Sequence, residues 1–586
     1  MNQIHNKPLL SFSSVYPEEE MKEPIEYLKE THPLILRETI GMLSAGNKLR
    51  LPNTDDIREK NYDFGFIENL TIQRDVIKRV EKYFPIKEIG KPYVITRLSS
   101  LKMVELILSN KLIPNGNISF PSHLTKTDID KIELNLFKAF LALNEKLNKR
   151  DKEFNIVSKD VNSYADLFIT KFFPIADIGN NSDNEMNEFN KLLYATLYKF
   201  DLLIEFLKSK SEYDYLIKDL IAAFGLGSIE SLIFQMRKLL SQLLALKFQQ
   251  DKEGVSAGWN LNIEDNESRI FINSLISSEI KVDSDFTVLK DKPLHKVDAN
   301  TFSVIDFFFA VDKFYKSVKF ILKSSYHKFH DLNPKDRKFF SFFNKEFSEE
   351  TLCKNVLDEI FPDSNYIKKQ IFKQKDNEPD YYARDKKTIF LFECKDSLVA
   401  ADIKSAGNFE KLGDIKKIDE MLKKKFLLDG EKDPGIGQLV NQIDSIVNQQ
   451  YKFDTFINKN SDFEIYPVLL VCDRIFDVPG LNYKLNNWYW KAIDEKLGDK
   501  KGTNTINSLT IVDIDTLIYL LPHFTSNKNN FKNLLDTHLK EVNRKIPNKQ
   551  FTVSNINKKL LPFSRRLENY KFPPKKFVEK LGEGLC

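Results

Sequence analysis

The chain has 586 residues, too many for one ordinary hydrophobic core, and at about 150 residues per domain it predicts roughly three or four units, some of them fused. Its formal charge of +4 excludes a polycation that coats nucleic acid over its whole surface, so any phosphate contact must come from local basic patches. The four cysteines, Cys353, Cys394, Cys472 and Cys586, stand far apart with no CxxC pair, which argues against a disulfide framework or zinc ribbon and for a reducing compartment.

The opening MNQIHNKPLLSFSS lacks the basic-then-apolar order of a secretory signal, and the most apolar helical stretches are interrupted by Arg237, Asp306 and Asp312. The expected location is cytoplasmic, with no membrane partner. Residues 1–255 read as a helical region: apolar residues recur three and four apart in KIELNLFKAFLALNEKLNK, NKLLYATLYKFDLLIEFLK and SIESLIFQMRKLLSQLLALKF. The loop from Glu253 to Ser268 marks a boundary. Residues 256–335 then read as a second helical subdomain that ends in the polar linker HDLNPKDRK. FGLGS lacks the preceding strand and third glycine of a phosphate cradle, and His327 with His330 has no third metal ligand in sight.

From 341 to 525 the rhythm changes. FSEETLCKNVLDEIF predicts a helix with Ser348 as its N-cap; YIKKQIFKQK, DYYARD and TIFLFECKD predict strands. A lysine-rich helix to about Lys425 follows, then the helix GIGQLVNQIDSIVNQQY, the strand IYPVLLVCD, the helix LNNWYWKAIDEKLG, the strand LTIVDI and the helix DTLIYLLPHF. This alternation predicts an α/β domain whose mixed central sheet is covered on both faces, attached to a mostly α-helical amino-terminal region. Residues 526–586 are expected as a basic tail. From residue 541 it holds eleven basic against four acidic residues, which suits a solvated or domain-wrapping segment or an arm on phosphates.

Side chains alternate along a strand, so Glu393 and Lys395 share one face of TIFLFECK while Phe390, Phe392 and Cys394 share the other. RDKK reads as the turn of a β-hairpin. With Asp385 and Lys386 central, Ala383 faces Thr388 and Asp380 faces Leu391, which puts Asp380 on the face of Glu393 and Lys395 as the diagonal neighbour of Glu393. A one-residue slip would break this arrangement. Two carboxylates and a lysine crowded together suit Mg²⁺ or Mn²⁺, with the lysine orienting a water and offsetting charge on phosphorus in phosphodiester hydrolysis.

Pro379 and Asp380, followed by Glu393, Cys394 and Lys395, resemble the active-site signature of the PD-(D/E)xK nuclease superfamily, and the order of elements over 341–525 resembles its restriction-endonuclease-like fold. The resemblance implies a metal-dependent nuclease with Asp380 and Glu393 as metal ligands and Lys395 as catalytic lysine. The first-helix glutamate of many members falls on Glu349 or Glu350, of which Glu350 is taken as the ligand, with Glu359 the second choice. The glutamine that several branches carry after the ExK strand falls on Gln438, with Gln442 one turn later; the tyrosine of the RecB-like branch is missing. Lys416, Lys417, Lys423, Lys424 and Lys425 of the insert are candidates to bind the nucleic-acid backbone, against the plainer reading of a solvated helix face. DNA is the expected substrate, with RNA open, and the helical region is expected to sense, target or assemble, through homo-oligomers or a partner protein. Such a fusion suits prokaryotic antiphage defence by analogy. Two readings compete with cleavage: a surface hairpin with an exposed Glu393–Lys395 ion pair, and a non-catalytic nucleic-acid-binding scaffold with a degenerate nuclease fold.

Overall fold

The computed structural model describes residues 9–45, 69–83, 94–114, 124–152, 160–178, 185–253, 260–369 (278 excepted), 379–430, 433–498 and 502–567, with 118, 500, 579 and 581 as single positions. The expected strand YIKKQIFKQK is described only at its start, and most of the far carboxyl terminus, Cys586 included, lies outside these residues.

Amino-terminal helices form where the apolar spacing predicts them, including α1 (Lys126–Lys152), α2 (Val161–Phe172), α3 (Glu185–Lys208) and α4 (Ile229–Glu253). The region 256–335 departs from the helical expectation. It carries a three-stranded antiparallel sheet in the order β1–β3–β2, from β1 (Asn260–Asn262), β2 (Leu294–Lys296) and β3 (Thr301–Val304). Strands of three or four residues are too short to display an alternation that a sequence window detects. The helix α5 (Val318–Phe329) follows, and the expected linker is a short turn with Asp331 at φ 49°.

After that turn one long helix, α6, runs through Lys338–Phe342, a wide-wound π segment Phe343–Cys353, and Lys354–Ile360. Ser348 therefore lies mid-helix and buried rather than at an N-cap. The main sheet is mixed and six-stranded, in the order β4–β5–β6–β7–β8 with β9 also on β7. Its strands are β4 (Ile367–Lys369), β5 (Tyr381–Asp385), β6 (Thr388–Lys395), β7 (Glu464–Val471), β8 (Thr505–Ile506) and β9 (Thr510–Asp513). The first three are antiparallel; β6, β8 and β9 are each parallel to β7.

Between β6 and β7 lie α7 (Ile415–Phe426) and α8 (Ile436–Val447); α9 (Leu481–Leu497) connects β7 to the following strands. On one face Phe390, Phe392, Cys394, Val468 and Leu470 pack with Phe347 and Leu352 of α6. On the other, Ile389, Leu391, Leu469 and Val471 pack with Leu439 and Ile443 of α8 and Leu485 of α9. At about 1.5–3 kcal/mol per fully buried large apolar side chain, these two layers hold the sheet rigid. Phe189, Leu193 and Phe200 of α3 join the first layer, and Phe168 and Ile169 of α2 join the second, so the helical region and the sheet share cores. Past α10 (Ile514–Ser526), the segment expected as a tail begins with α11 (Asn530–Val542) and α12 (Val553–Leu560), whose Phe531, Leu535, Ile556 and Leu560 are buried. Among the described residues no helix is long and apolar enough to cross a membrane.

Candidate active site

The hairpin register decides where the charged residues meet. Asp385 pairs with Thr388, Ala383 with Phe390 and Tyr381 with Phe392, so the turn is Lys386–Lys387, with Lys386 at φ 52°, rather than Asp385–Lys386. The shift from the expected register is two residues, which preserves parity. Continued by one pair, the register brings Asp380 directly opposite Glu393 instead of diagonal to it. The turn moved because Arg384 is buried, its Nε donating to Asp454 at 2.6 Å, which leaves the two lysines as the exposed tip.

Asp380 is fastened to the end of β6 by the Cys394 N–H, which donates to its Oδ2 at 2.7 Å. Glu393 is fully buried, with Oε1 accepting from Gln442 Nε2 at 2.9 Å and Oε2 from Lys395 Nζ at 3.2 Å. The Lys395 ammonium also donates to Gln438 Oε1 at 3.1 Å and stands 3.8 Å from Asp380 Oδ2. Gln438 is itself held at the start of α8 by the Gly435 N–H, which donates to the same oxygen at 2.9 Å. Asp380, Glu393, Lys395 and Gln438 are thus brought together, and the 0 % exposure of Glu393 rules out a solvent-exposed ion pair.

The first-helix acid that faces this corner is Glu349. Burial first and Asp380 second push its carboxyl up to about 8, against the pull of Lys395. Glu350, the expected ligand, is exposed, and so is Glu359, which accepts from Tyr198. Buried residues in this π-wound segment fall at Phe343, Phe347, Ser348, Leu352 and Cys353, four and five apart, and Glu349, next to the buried Ser348, is half-buried where Glu350 is exposed. Burial and then Asp380 also raise the Glu393 carboxyl well above the usual range. Burial works against the charge of Lys395, yet Asp380, Glu393 and Glu349 together hold its ammonium above the ordinary lysine range.

Sequence reasoning missed the network behind the site. Asp396 is buried one residue past Lys395, where its Oδ2 accepts from Lys319 Nζ of α5 and from Ser348 Oγ of α6, each at 2.6 Å. Asn344 Nδ2 donates to its backbone carbonyl at 2.7 Å. These contacts pin the Glu349 helix to the end of β6. The signal available in the sequence was an acid directly after ExK in an otherwise apolar strand. Across the sheet, the Cys353 and Cys472 sulfurs lie 3.7 Å apart with Cys394 beside them, a buried thiol cluster on the apolar side. The five insert lysines lie on or beside the exposed face of α7; Lys416, Lys417, Lys423 and Lys424 are exposed and Lys425 is half-buried.

Among the described residues no group of three or more His, Cys, Asp or Glu side chains forms a ready-made metal cage. What the corner offers is two facing carboxylates with a third pressed upward in pKa beside them, a hard oxygen set whose crowding a divalent cation would relieve. That fits Mg²⁺ or Mn²⁺, which bind through one or two carboxylates and keep the remaining positions for water and phosphate. Compared with known proteins, the chain matches no family model, no curated protein and no solved structure.

Proposed function

We propose that the protein is a metal-dependent nuclease that hydrolyses phosphodiester bonds of DNA, with its centre at Asp380, Glu393 and Lys395. The observation that carries this reading is one half-buried lysine set against three acids at the end of a rigid strand, with two of its contacts inside 3.3 Å. The order of helix, antiparallel strand pair, crossover helices and parallel strand supports a restriction-endonuclease-like core.

Asp380 and Glu393 would hold the ion, and Glu349 would join them from α6. Bound there, a divalent cation supplies Lewis-acid polarisation of a phosphate oxygen and a more acidic water. The chain's own part is positioning. Gln442 fixes the Glu393 carboxylate, Gln438 aims the Lys395 ammonium, and Lys395 holds positive charge beside the place where negative charge builds up on phosphorus. Because three acids keep Lys395 protonated, it serves as an electrostatic and orienting group rather than as a general base.

The test is cleavage of plasmid, linear duplex, single-stranded DNA and RNA in Mg²⁺, Mn²⁺ or EDTA. Metal-dependent cleavage that Asp380→Ala and Lys395→Ala each abolish, in protein that melts like the parent, supports the proposal. Cleavage that survives both substitutions refutes the site, and no cleavage of any substrate favours a non-catalytic binding protein.

A further inference from the structure

Two successive helices, α5 and α6, and the end of the distant α7 meet at one rim of the site. Phe320 of α5 is 48 % exposed, large for a phenylalanine in a chain whose aromatic residues are mostly buried, and it stands edge-on to Phe340 of α6 with ring centroids 6.4 Å apart. Lys323 Nζ lies 5.3 Å over the Phe340 ring. Phe340 is one turn from Arg337, at the start of α6; Asn344 and Ser348, four and eight residues further on, bond Asp396 beside Lys395, as does Lys319, the neighbour of Phe320. Along α6 the rim is thus about one to two turns from those contacts.

The third element reaches the rim from the other side. Lys425 precedes Phe426, whose carbonyl lies so close to Gly435 that a Cβ there would stand 3.3 Å from it, and Gly435 in turn holds Gln438. The charges that act on Lys425 are Arg337 and Lys424, both cations, and with burial they depress its pKa. Among the described residues neither Arg337 nor Lys425 has a carboxylate partner. A half-buried lysine facing cations is relieved by an anion from outside, and a phosphate is the anion that the neighbouring corner is built to handle.

We infer that a single-stranded nucleic acid enters over this rim, with an unpaired base against Phe320 and phosphates over Arg337 and Lys425. The inference rests on the nuclease reading and adds the form of substrate. An exposed aromatic edge beside a basic track stacks any base whose face is free, and a paired base in a duplex has no free face.

The experiment is fluorescence anisotropy of the full chain in EDTA with a labelled oligothymidylate and with a duplex of equal length, over a range of salt. The wild type is expected to bind the single strand more tightly. Phe320→Ala should weaken single-strand binding about 5- to 100-fold and leave the duplex nearly unchanged, with Phe320→Trp restoring it. Arg337→Glu with Lys425→Glu should weaken both ligands and reduce the single-strand salt slope by about 1.4, at roughly 0.7 per phosphate contact. Phe320 is exposed, so a melt matching the parent keeps the result interpretable. Wild-type-like binding by both sets of variants overturns the rim while leaving metal-dependent cleavage intact. Failure of the wild type to bind any nucleic acid overturns the nuclease reading along with it.

Discussion

Two charged clusters stand at the carboxyl ends of the parallel strands, and they are built on opposite principles. At the ends of β7 and β9, charges are matched: Asp177 takes Lys290 and Lys404 at 3.0 and 3.1 Å, Asp473 takes Lys316 at 2.9 Å, Arg474 takes Asp312 at 2.6 Å, and Lys199 takes Asp515 at 2.7 Å. Burial alone would raise Asp177 and Asp473, but their lysines outweigh it and hold both below the usual carboxylate range. At the end of β6 the count is uneven, one lysine against Asp380, Glu393 and Glu349, and Glu393 and Glu349 are pushed up. The matched cluster joins helices from the first half of the chain to the sheet. The unmatched one has charge left over for something not in the chain, which is the mark of a site rather than of a staple. Asp477 and Asp513 show that the division is not absolute, since burial raises both within the matched wall, Asp513 to about 7 with Asp515 adding to it.

The contrast breaks most sharply on the lysines. Lys395→Met should cut cleavage by about 10²–10³-fold or more, the scale of losing one stabilising group, with little loss of stability because Glu393 can take up a proton instead. Lys199→Met removes the partner of a buried carboxylate and should cost about 3–5 kcal/mol of stability, with the surviving folded fraction still active. Single-turnover rates and denaturant melts of the two variants separate these outcomes; equal destabilisation by both would erase the distinction. One step smaller, Glu349→Gln should lower activity about 10–100-fold, on the scale of residues that tune a metal site, while Glu350→Gln stays within about twofold of the parent.

The clusters should also respond to pH with opposite sign. An acid raised in the folded state binds its proton more tightly there than when unfolded, so in metal-free protein Glu349 withdraws stability as pH rises from its unfolded value near 4.5 to about 8, and the loss stays constant beyond that. Asp177 and Asp473, lowered on folding, contribute stability above their unfolded value near 3.8 and lose it as pH falls through their folded values. Melts of the metal-free protein should therefore show a decline toward pH 8 that Glu349→Gln makes shallower, with Glu393 and Asp513 supplying the remainder, together with an acid limb that it leaves in place. The smallest effect belongs to the insert: Lys416→Ala and Lys417→Ala, both exposed, should change stability by less than about 0.5 kcal/mol and each take about 0.7–0.9 from the salt slope of nucleic-acid binding if they touch phosphates.

The sequence disclosed what depends on parity and period. The two-residue repeat put Asp380, Glu393 and Lys395 on one face, and that survived a turn placed two residues away because only an odd slip changes faces. The apolar strands and the helices after them were equally visible. What stayed hidden depends on partners distant in the chain or on non-standard winding. Arg384 moved the turn through Asp454, seventy residues on, and which of the adjacent Glu349 and Glu350 is covered depends on how α6 packs on the sheet. Lys319 and Asp396 could not be paired in advance because nothing local links them. The short strands of 256–335 and the packed helices α11 and α12 were read as helix and tail for the same reason, since their burial is decided by what they pack against.

The most direct test of the unmatched corner is calorimetric titration of Mn²⁺ into the full chain, comparing the parent with Asp380→Asn, Glu349→Gln and Glu350→Gln. The account predicts saturable binding by the parent and by Glu350→Gln, weaker binding by Glu349→Gln and none by Asp380→Asn. Binding by Asp380→Asn equal to the parent's, or a loss confined to Glu350→Gln, would contradict it.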